Sequence, residues 1–262
     1  MPTVIHPTAV VSTHAELGPD VEVGPFCVVE GRAHIGARTR LRGHVIVGPF
    51  TEMGEDNVIF PFVAVGMEPQ DLKFKGEETR FVMGSRNVVK ENATLHRGTA
   101  HGGGLTRMGD DNLLQVGAHV AHDCLVGNGV ILGHNCSLGG HVQVEDGAWV
   151  GAYSGVHQFC RVGRHAFLGA TTIAVMDVLP FIKTVGKREV KTYGINAIGL
   201  ERKGLSDESI QALKQSYRIL FMKNLLLEDA LLQIREAFGK IPEVAYLINF
   251  IEAAKQRGFH RN

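Results

Sequence analysis

The sequence predicts a mainly β fold, a parallel β-helix of hexapeptide repeats followed by a C-terminal α-helical domain. An aliphatic residue recurs every six positions, in three blocks separated by two interruptions. The members are Ile5, Val11, Leu17, Val23, Val29, Ile35, Leu41, Val47, Met53, Ile59 and Val65, then Met83, Val89 and Leu95, then Met108, Leu114, Val120, Val126, Leu132, Leu138, Val144, Val150, Val156, Val162 and Leu168. Neither the helical period of about 3.6 residues nor the alternation of a strand produces this spacing. A hexapeptide period is typical of a parallel β-helix, in which three repeats make one coil.

A second observation is that the position four residues after each aliphatic residue is small in most repeats. In the last block this position reads Asn112, Ala118, Cys124, Val130, Cys136, Val142, Ala148, Ser154, Cys160, Ala166 and Thr172. Small side chains are expected where residues point into a narrow prism. All four cysteines, including Cys27 in the first block, occupy this position. We therefore predict that they fill the core as reduced thiols and form neither a disulfide nor a zinc framework.

The third observation is a change of pattern near the C-terminus. Ser206 is a favourable helix N-cap, and Pro242 suits the first turn of another helix. We predict a β-helix over 1–190 and an α-helical domain over 191–262, which would cover one open end of the coil. The two interruptions predict loops at about 66–82 and 96–107. Loops on a rigid scaffold often carry function.

The composition excludes several classes of protein. The 262 residues contain 27 basic and 27 acidic side chains, so there is no overall positive field and we expect no nucleic acid partner. The N-terminus lacks the pattern of a signal peptide, and no apolar run approaches the roughly 20 residues of a membrane-spanning helix. We expect a cytoplasmic protein without stable membrane insertion.

The histidines contain one candidate for acid–base chemistry. His122 is followed directly by Asp123, and residues 18 positions apart should be neighbours because parallel coils stack about 4.8 Å apart. This register places Gly140 and then Gln158 next to His122, at an outward position that we expect to lie on a strand. The flanking members of the cluster are His141 and His157. A lone histidine is most often a surface residue, but an adjacent carboxylate that fixes its tautomer predicts a general base.

Within one subunit, protein borders this outward cluster on one side only. Trimers of such coils commonly press outward faces together around a threefold axis, which would supply the second wall. We therefore predict a homotrimer with the histidine-rich cleft between two subunits. A purely structural coil would not gather polar residues on one outward column.

The chain resembles a known family through a set of motifs in a fixed order. They are QDLKFKGE (70–77), HRGT (96–99), GGGLT (102–106), AHVAHDC (118–124), GGHV (139–142), VHQF (156–159) and GINAIGLERKG (194–204). This combination is similar to that of the UDP-N-acetylglucosamine acyltransferases, which catalyse the first step of lipid A biosynthesis. The resemblance implies a left-handed coil, a homotrimer, and transfer of an R-3-hydroxyacyl chain from acyl carrier protein to the 3-hydroxyl of UDP-GlcNAc. It implies neither a cofactor nor a metal.

The resemblance also implies roles for individual residues. His122 would be the general base, Asp123 would orient it, and the backbone N–H of Gly140 would hold the oxyanion. Residues expected to line the sugar and acyl pocket are Asp71, Lys73, His119, His141, His157 and Gln158. The segment expected to meet the nucleotide and its phosphates contributes Asn196, Arg202 and Lys203.

A third set is expected to run beside the acyl chain. Steps of 18 residues join His134, Ala152 and Ala170 in another outward column, and in the family the last position limits chain length. Two residues depart from the family pattern. Relatives carry glutamate where this chain has Ile198 and asparagine where it has His134.

Alternative functions remain open at this level. The same residues would serve a 3-amino analogue of UDP-GlcNAc. The N-acyltransferase of the same pathway is less favoured, because it carries an extra domain before the repeat. A γ-class carbonic anhydrase is a zinc-dependent trimer of similar coil, but its histidine ligands include a pair five apart, whereas His119 and His122 are three apart.

Acyl carrier protein is acidic, so a local positive rim should bind it despite the zero net charge. The candidates lie at the end of the coil and just after it: Arg161, Arg164, Lys183, Lys187, Arg188 and Lys191.

Overall fold

The architecture is a three-sided coil of very short parallel strands, seen in a computed structural model that describes residues 2–186, 190–254 and 258–259. Most strands contain two residues, and up to β27 each pairs in parallel with strands of the neighbouring coils. Lys187 and Arg188, two of the predicted basic rim residues, lie outside the described residues.

Sheet A is the first side of the coil. Its eleven strands, in spatial order, are β1 (Val4–Ile5), β4 (Glu22–Val23), β7 (Arg40–Leu41), β10 (Val58–Ile59), β13 (Val88–Val89), β16 (Leu113–Leu114), β19 (Ile131–Leu132), β22 (Trp149–Val150), β25 (Phe167–Leu168), β27 (Ile182–Val185) and β28 (Lys191–Ile195).

Sheet B is the second side. Its nine strands are β2 (Val10–Val11), β5 (Val28–Val29), β8 (Ile46–Val47), β11 (Ala64–Met67), β14 (Thr94–His96), β17 (His119–Val120), β20 (Ser137–Leu138), β23 (Gly155–Val156) and β26 (Ile173–Ala174).

Sheet C is the third side. Its eight strands are β24 (Arg161–Val162), β21 (Gln143–Val144), β18 (Leu125–Val126), β15 (Leu105–Met108), β12 (Arg80–Met83), β9 (Thr51–Met53), β6 (His34–Ile35) and β3 (Glu16–Leu17).

The strand register follows the 18-residue step that the repeat predicts. Val120 pairs with Leu138, and Leu138 with Val156, and all three side chains are buried in one hydrophobic core. The four cysteines are buried in the same core as free thiols, as predicted. Burial raises the pKa of Cys124 and of Cys136 to about 12. These thiols therefore pack as small apolar groups.

The two interruptions of the repeat are loops, shorter than the predicted ranges. Strand β11 continues to Met67 and β12 begins at Arg80, which leaves a first loop of 68–79. Strand β14 ends at His96 and β15 begins at Leu105, which leaves a second loop of 97–104. The strands extend into the predicted ranges because their backbones keep pairing, as at Phe81 with Thr106. The second loop contains a 3₁₀ turn over Ala100–Gly102.

The C-terminal part begins with a strand, although the sequence predicted that residues from 191 onward are helical. Strand β28 runs antiparallel to β27, where Thr184 pairs with Thr192. Within 190–254 four helices follow: α1 (Ala197–Arg202), α2 (Asp207–Met222), α3 (Leu227–Phe238) and α4 (Pro242–Ala253). The Ser206 hydroxyl caps α2 by accepting from the Ser209 N–H, and Pro242 opens α4, both as predicted. Helices α1 and α3 were not predicted.

A partly buried ion pair on the last coil contacts helix α4. Nε and Nη2 of Arg161 both donate to Oδ2 of Asp177, at 2.9 and 2.7 Å, and the guanidinium stacks on the ring of Phe250 in α4. None of the helices in the described part of the chain combines the length and apolar character needed to cross a bilayer.

Candidate active site

The predicted cluster lies at the corner of the coil between sheets B and C. The sequence placed His122 on a strand, and this is wrong: β17 ends at Val120, and His122 and Asp123 form the turn that leads to β18. The reason is that β17 is only two residues long and ends at the aliphatic Val120, so the second residue after that position already lies in the corner. Asp123 has a left-handed backbone, with φ of 60°.

Neighbouring coils place further predicted residues at the same corner. The His141 N–H donates to the carbonyl of His122, and the Phe159 N–H donates to the carbonyl of Gly140, each at 3.1 Å. His122, Gly140 and Gln158 therefore occupy equivalent positions on successive coils, as the 18-residue step predicts. His157 and Gln158 are exposed at the end of this column.

His122 and Asp123 form a hydrogen-bonded pair. Nδ1 of His122 lies 2.8 Å from Oδ2 of Asp123, and the side chains are 16% and 1% exposed. A carboxylate can only accept, so Nδ1 carries the proton and the Nε2 lone pair is available as a base. This arrangement is the one that general-base catalysis requires.

Thr99, which was not among the predicted site residues, holds the Asp123 carboxylate in place. Its backbone N–H donates to Oδ1 at 2.9 Å, and its hydroxyl donates to Oδ2 at 2.6 Å. The Asp123 N–H in turn donates to the hydroxyl of Thr106 at 2.7 Å. Thr99 and Thr106 end the HRGT and GGGLT motifs, so the sequence marked the segment but not the contact.

Aromatic rings enclose the pair on one side. The rings of His122 and His141 meet edge to face with centroids 5.4 Å apart, and His141 stacks on Phe159 at 4.4 Å. Burial, partly opposed by the nearby Asp123, lowers the pKa of His141. His141 is therefore neutral near pH 7, where it can donate or accept a hydrogen bond.

The two loops bring Asp71 to the same corner. Oδ2 of Asp71 lies 3.1 Å from Nε2 of His101 in the second loop, and the His101 and His141 ring centroids are 6.4 Å apart. The backbone N–H of Lys73, helped by the nearby His101, holds the pKa of Asp71 below its usual value. Asp71 is thus a carboxylate facing a cluster of imidazoles. His101 was not predicted.

His119 lies on the outer surface of sheet B beside this corner. Its Nδ1 is 2.8 Å from the hydroxyl of Thr94, and its ring meets that of His96 with centroids 5.3 Å apart. Burial, with smaller effects of His96 and His122, lowers the pKa of His119 to about 4. His119 is therefore a neutral hydrogen-bonding group near pH 7.

The residues predicted for the nucleotide lie on another side of the coil. Asn196 and Arg202 line a cavity of about 420 Å³ on sheet A, together with Ile198 and the aromatic residues Trp149 and Phe167. Lys203 does not line this cavity: its Nζ lies near Gly129, at the corner between sheets C and A. Within one chain the structure does not bring this segment to His122, because the sheet B–C corner faces away from sheet A.

The predicted acyl-chain residues form a column at the corner between sheets A and B. The Tyr153 N–H donates to the carbonyl of His134 at 2.9 Å, and the Thr171 N–H donates to that of Ala152 at 2.8 Å. His134, Ala152 and Ala170 thus occupy successive rungs, with Ala170 exposed. The sequence predicted the column, but it lies at a corner.

The predicted basic rim is corrected at one position. Arg161 pairs with Asp177, which is 3% exposed, so its charge is committed to the fold. Arg164 stacks on Tyr246, and Lys183 lies 5.9 Å from the ring centre of Phe167. Lys191 is exposed on β28.

Three groups at the corner are close enough to bind a metal ion: His122, Asp123 and His141 have ligand atoms within 4.8 Å of one another. The Asp123 oxygens, however, already accept from Thr99 and from His122. A metal would have to displace those hydrogen bonds. The contacts therefore favour a proton-transfer site over a zinc site.

A curated relative decides the family. The acyl-[acyl-carrier-protein]–UDP-N-acetylglucosamine O-acyltransferase of Thermodesulfovibrio yellowstonii is 43% identical over 252 residues, 96% of this chain and 97% of its own. The chain belongs to the UDP-N-acetylglucosamine O-acyltransferase family.

Solved structures of the family have the same fold. The Francisella novicida acyltransferase is 34% identical, with a TM-score of 0.94 over 99% of this chain and 94% of that chain. The Bacteroides fragilis enzyme is 37% identical, with a TM-score of 0.95 over 98% and 100%. A family model described as Udp N-acetylglucosamine O-acyltransferase, domain 2, matches residues 177–260. The chain is thus a left-handed parallel β-helix, as predicted.

Proposed function

We propose that this acyltransferase moves an R-3-hydroxyacyl chain from acyl carrier protein to the 3-hydroxyl of UDP-GlcNAc, the first step of lipid A biosynthesis. The observation that carries the proposal is the His122–Asp123 pair, placed directly against Gly140 in a chain 43% identical to an enzyme named for this reaction. It would act in the cytoplasm.

In the proposed mechanism, Nε2 of His122 takes the proton of the sugar 3-hydroxyl while the hydroxyl oxygen attacks the thioester carbonyl carbon. The tetrahedral intermediate then collapses, the C–S bond breaks, and the leaving thiolate takes the proton back from His122. Asp123 stabilises the transient imidazolium and keeps the ring oriented. No cofactor enters this sequence.

The backbone N–H of Gly140 would stabilise the oxyanion. Gly140 is buried, and among the described residues no acceptor pairs with its N–H. A buried N–H without a protein partner is uncommon and is available to a ligand. Glycine also lets the substrate approach the backbone closely.

The remaining predicted residues would bind substrate. Asp71, Lys73, His119, His141, His157 and Gln158 would contact the sugar and the start of the acyl chain. Asn196, Arg202 and Lys203 would contact the nucleotide, with Ile198 replacing the glutamate of relatives. His134, Ala152 and Ala170 would line the acyl track.

In a homotrimer, the His122 corner of one subunit could face the Asn196 and Arg202 cavity of a neighbouring subunit. In one chain the His122 corner faces away from the cavity that Asn196 and Arg202 line on sheet A. A neighbouring subunit could supply that wall. Light scattering at assay concentration is expected to show a trimer, and an active monomer would contradict this part of the proposal.

The decisive experiment is mass spectrometry of products formed from 3-hydroxyacyl–acyl carrier proteins of several lengths. Each donor is offered with UDP-GlcNAc and with its 3-amino analogue. An ester of UDP-GlcNAc supports the proposal, an amide formed preferentially identifies the 3-amino acceptor, and no acyl transfer to either contradicts it. Measuring donor KM at doubled salt tests electrostatic binding of acyl carrier protein by Arg164, Lys183 and Lys191, since an unchanged KM excludes it.

A further inference from the structure

A polar contact at their outer part joins the two loops that project from the coil. His101 in the second loop places Nε2 3.1 Å from Oδ2 of Asp71 in the first loop. The His101 side chain is 45% exposed and that of Asp71 is 17% exposed, so the contact lies at the rim of the active-site corner.

The base of the first loop is held separately. The ring Nδ1 of His96 donates to the carbonyl of Glu68. The guanidinium of Arg97, only 4% exposed, lies 3.4 Å from the Glu68 carboxylate and 5.3 Å from the ring centre of Phe74. These contacts hold the loop at its start, Glu68, and at Phe74, while the contact from His101 acts on Asp71 itself.

The second loop, which contacts Asp71 through His101, is itself fixed by contacts with Asp123. It is tied to the Asp123 carboxylate through the N–H and hydroxyl of Thr99. A Cβ on Gly102 would approach the Asp123 carboxylate to 2.2 Å, so the loop is packed directly on that group. One short segment therefore contacts the carboxylates of both Asp123 and Asp71.

We propose that His101 is a positioning residue for the acceptor: it fixes the Asp71 carboxylate at a set distance from the His122–Asp123 pair. The inference rests on the proposed function, in which Asp71 binds the acceptor sugar. His101 acts through Asp71 and takes no proton from the substrate.

The test compares His101→Ala and His101→Gln. Loss of an oriented charge-assisted hydrogen bond should raise KM for UDP-GlcNAc about tenfold in His101→Ala, with kcat and donor KM changed less than about twofold. The glutamine amide can still donate to Asp71, so His101→Gln should recover most of the loss. The matched control is His34→Ala, which removes another exposed imidazole–carboxylate pair, with Glu16 at 3.1 Å, and should leave all three constants unchanged.

Two further measurements separate this proposal from a general structural effect and from the proposed function. In an Asp71→Asn background, His101→Ala should add no further rise in KM, and an equal additional rise would overturn the proposal. Trypsin cleavage after Lys73 and Lys75 should be faster in His101→Ala than in the unmodified enzyme or His34→Ala. Unchanged cleavage together with unchanged KM would also overturn it. If the unmodified enzyme acylates neither acceptor, the proposed function fails, and the cleavage rates still decide whether His101 holds the loop.

Discussion

The imidazole of His122 packs directly on Gly140. A Cβ built on Gly140 would lie 2.6 Å from Cε1 and 2.9 Å from Nε2 of His122, too close for any side chain at that position. Position 140, one coil along from His122, is therefore limited to glycine because a side chain there would collide with the His122 ring.

Replacing Gly140 by alanine should displace the His122 ring and lower kcat/KM by at least about 10²-fold, the usual contribution of a general base. Gly31→Ala is a matched control, because Gly31 lies in a turn between sheets B and C and a Cβ there would be 3.3 Å from its nearest neighbour. Steady-state kinetics of both variants decide the matter. Full activity in Gly140→Ala would show that the ring position is not critical.

His122→Ala should leave a folded protein and lower kcat/KM by at least about 10²-fold, because no base then accepts the hydroxyl proton. His14→Ala, at an exposed position on a distant coil, serves as the control. Circular dichroism and light scattering establish that fold and assembly are kept. Near-normal turnover by His122→Ala would exclude His122 as the base.

Thr99→Val should lower kcat about tenfold and the free energy of unfolding by about 1–3 kcal/mol, because a buried carboxylate oxygen loses a donor. Thr99→Ser keeps the hydroxyl and should restore both quantities. Thr184→Val is the control, since Thr184 is buried and its hydroxyl has no partner among the described residues. Equal effects of the valine substitutions at both sites would assign no special role to Thr99.

Ala170 should influence acyl chain length, because it ends the His134–Ala152–Ala170 column. Ala170→Gly should shift the ratio of kcat/KM toward longer 3-hydroxyacyl donors, and Ala170→Met toward shorter ones. A pocket distinguishes one methylene by about 1–3 kcal/mol, so a preference is expected without absolute exclusion. The measurement is a competition between donors two carbons apart. A ratio that neither substitution moves would contradict the role of Ala170.

Acid should destabilise the protein partly through His119. Its pKa is lowered from 6.5 to about 4 in the folded chain, chiefly by burial. Between these values the unfolded chain binds a proton at His119 that the folded chain does not, so the free energy of unfolding falls as the pH decreases through this window. Urea unfolding of His119→Gln at pH 7 and pH 5 should show a smaller difference than the unmodified protein. If the free energy of unfolding differs between pH 7 and pH 5 by the same amount in His119→Gln and in the exposed control His14→Gln, His119 makes no contribution to acid destabilisation.

The sequence alone determined the coil, its register and most of its core, although Ile5 of the first repeat is 46% exposed. This was possible because a stacked coil is a translational repeat: each residue's environment follows from its position in the hexapeptide and from the residues 18 away, as for Val120 and Leu138. It also predicted the His122–Asp123 pair, because neighbours in sequence are neighbours in space.

Only the tertiary structure decided the contacts that the period does not govern. The loops are not periodic, so the contacts of Thr99 with Asp123 and of His101 with Asp71 could not be read from spacing. Arg161 appeared free as a rim charge, but a long-range ion pair with Asp177 commits it to the fold. The structure also decided whether a polar residue such as His122 lies on a strand or in a corner. The six-residue aliphatic period is the same in both cases, because only the backbone conformation differs.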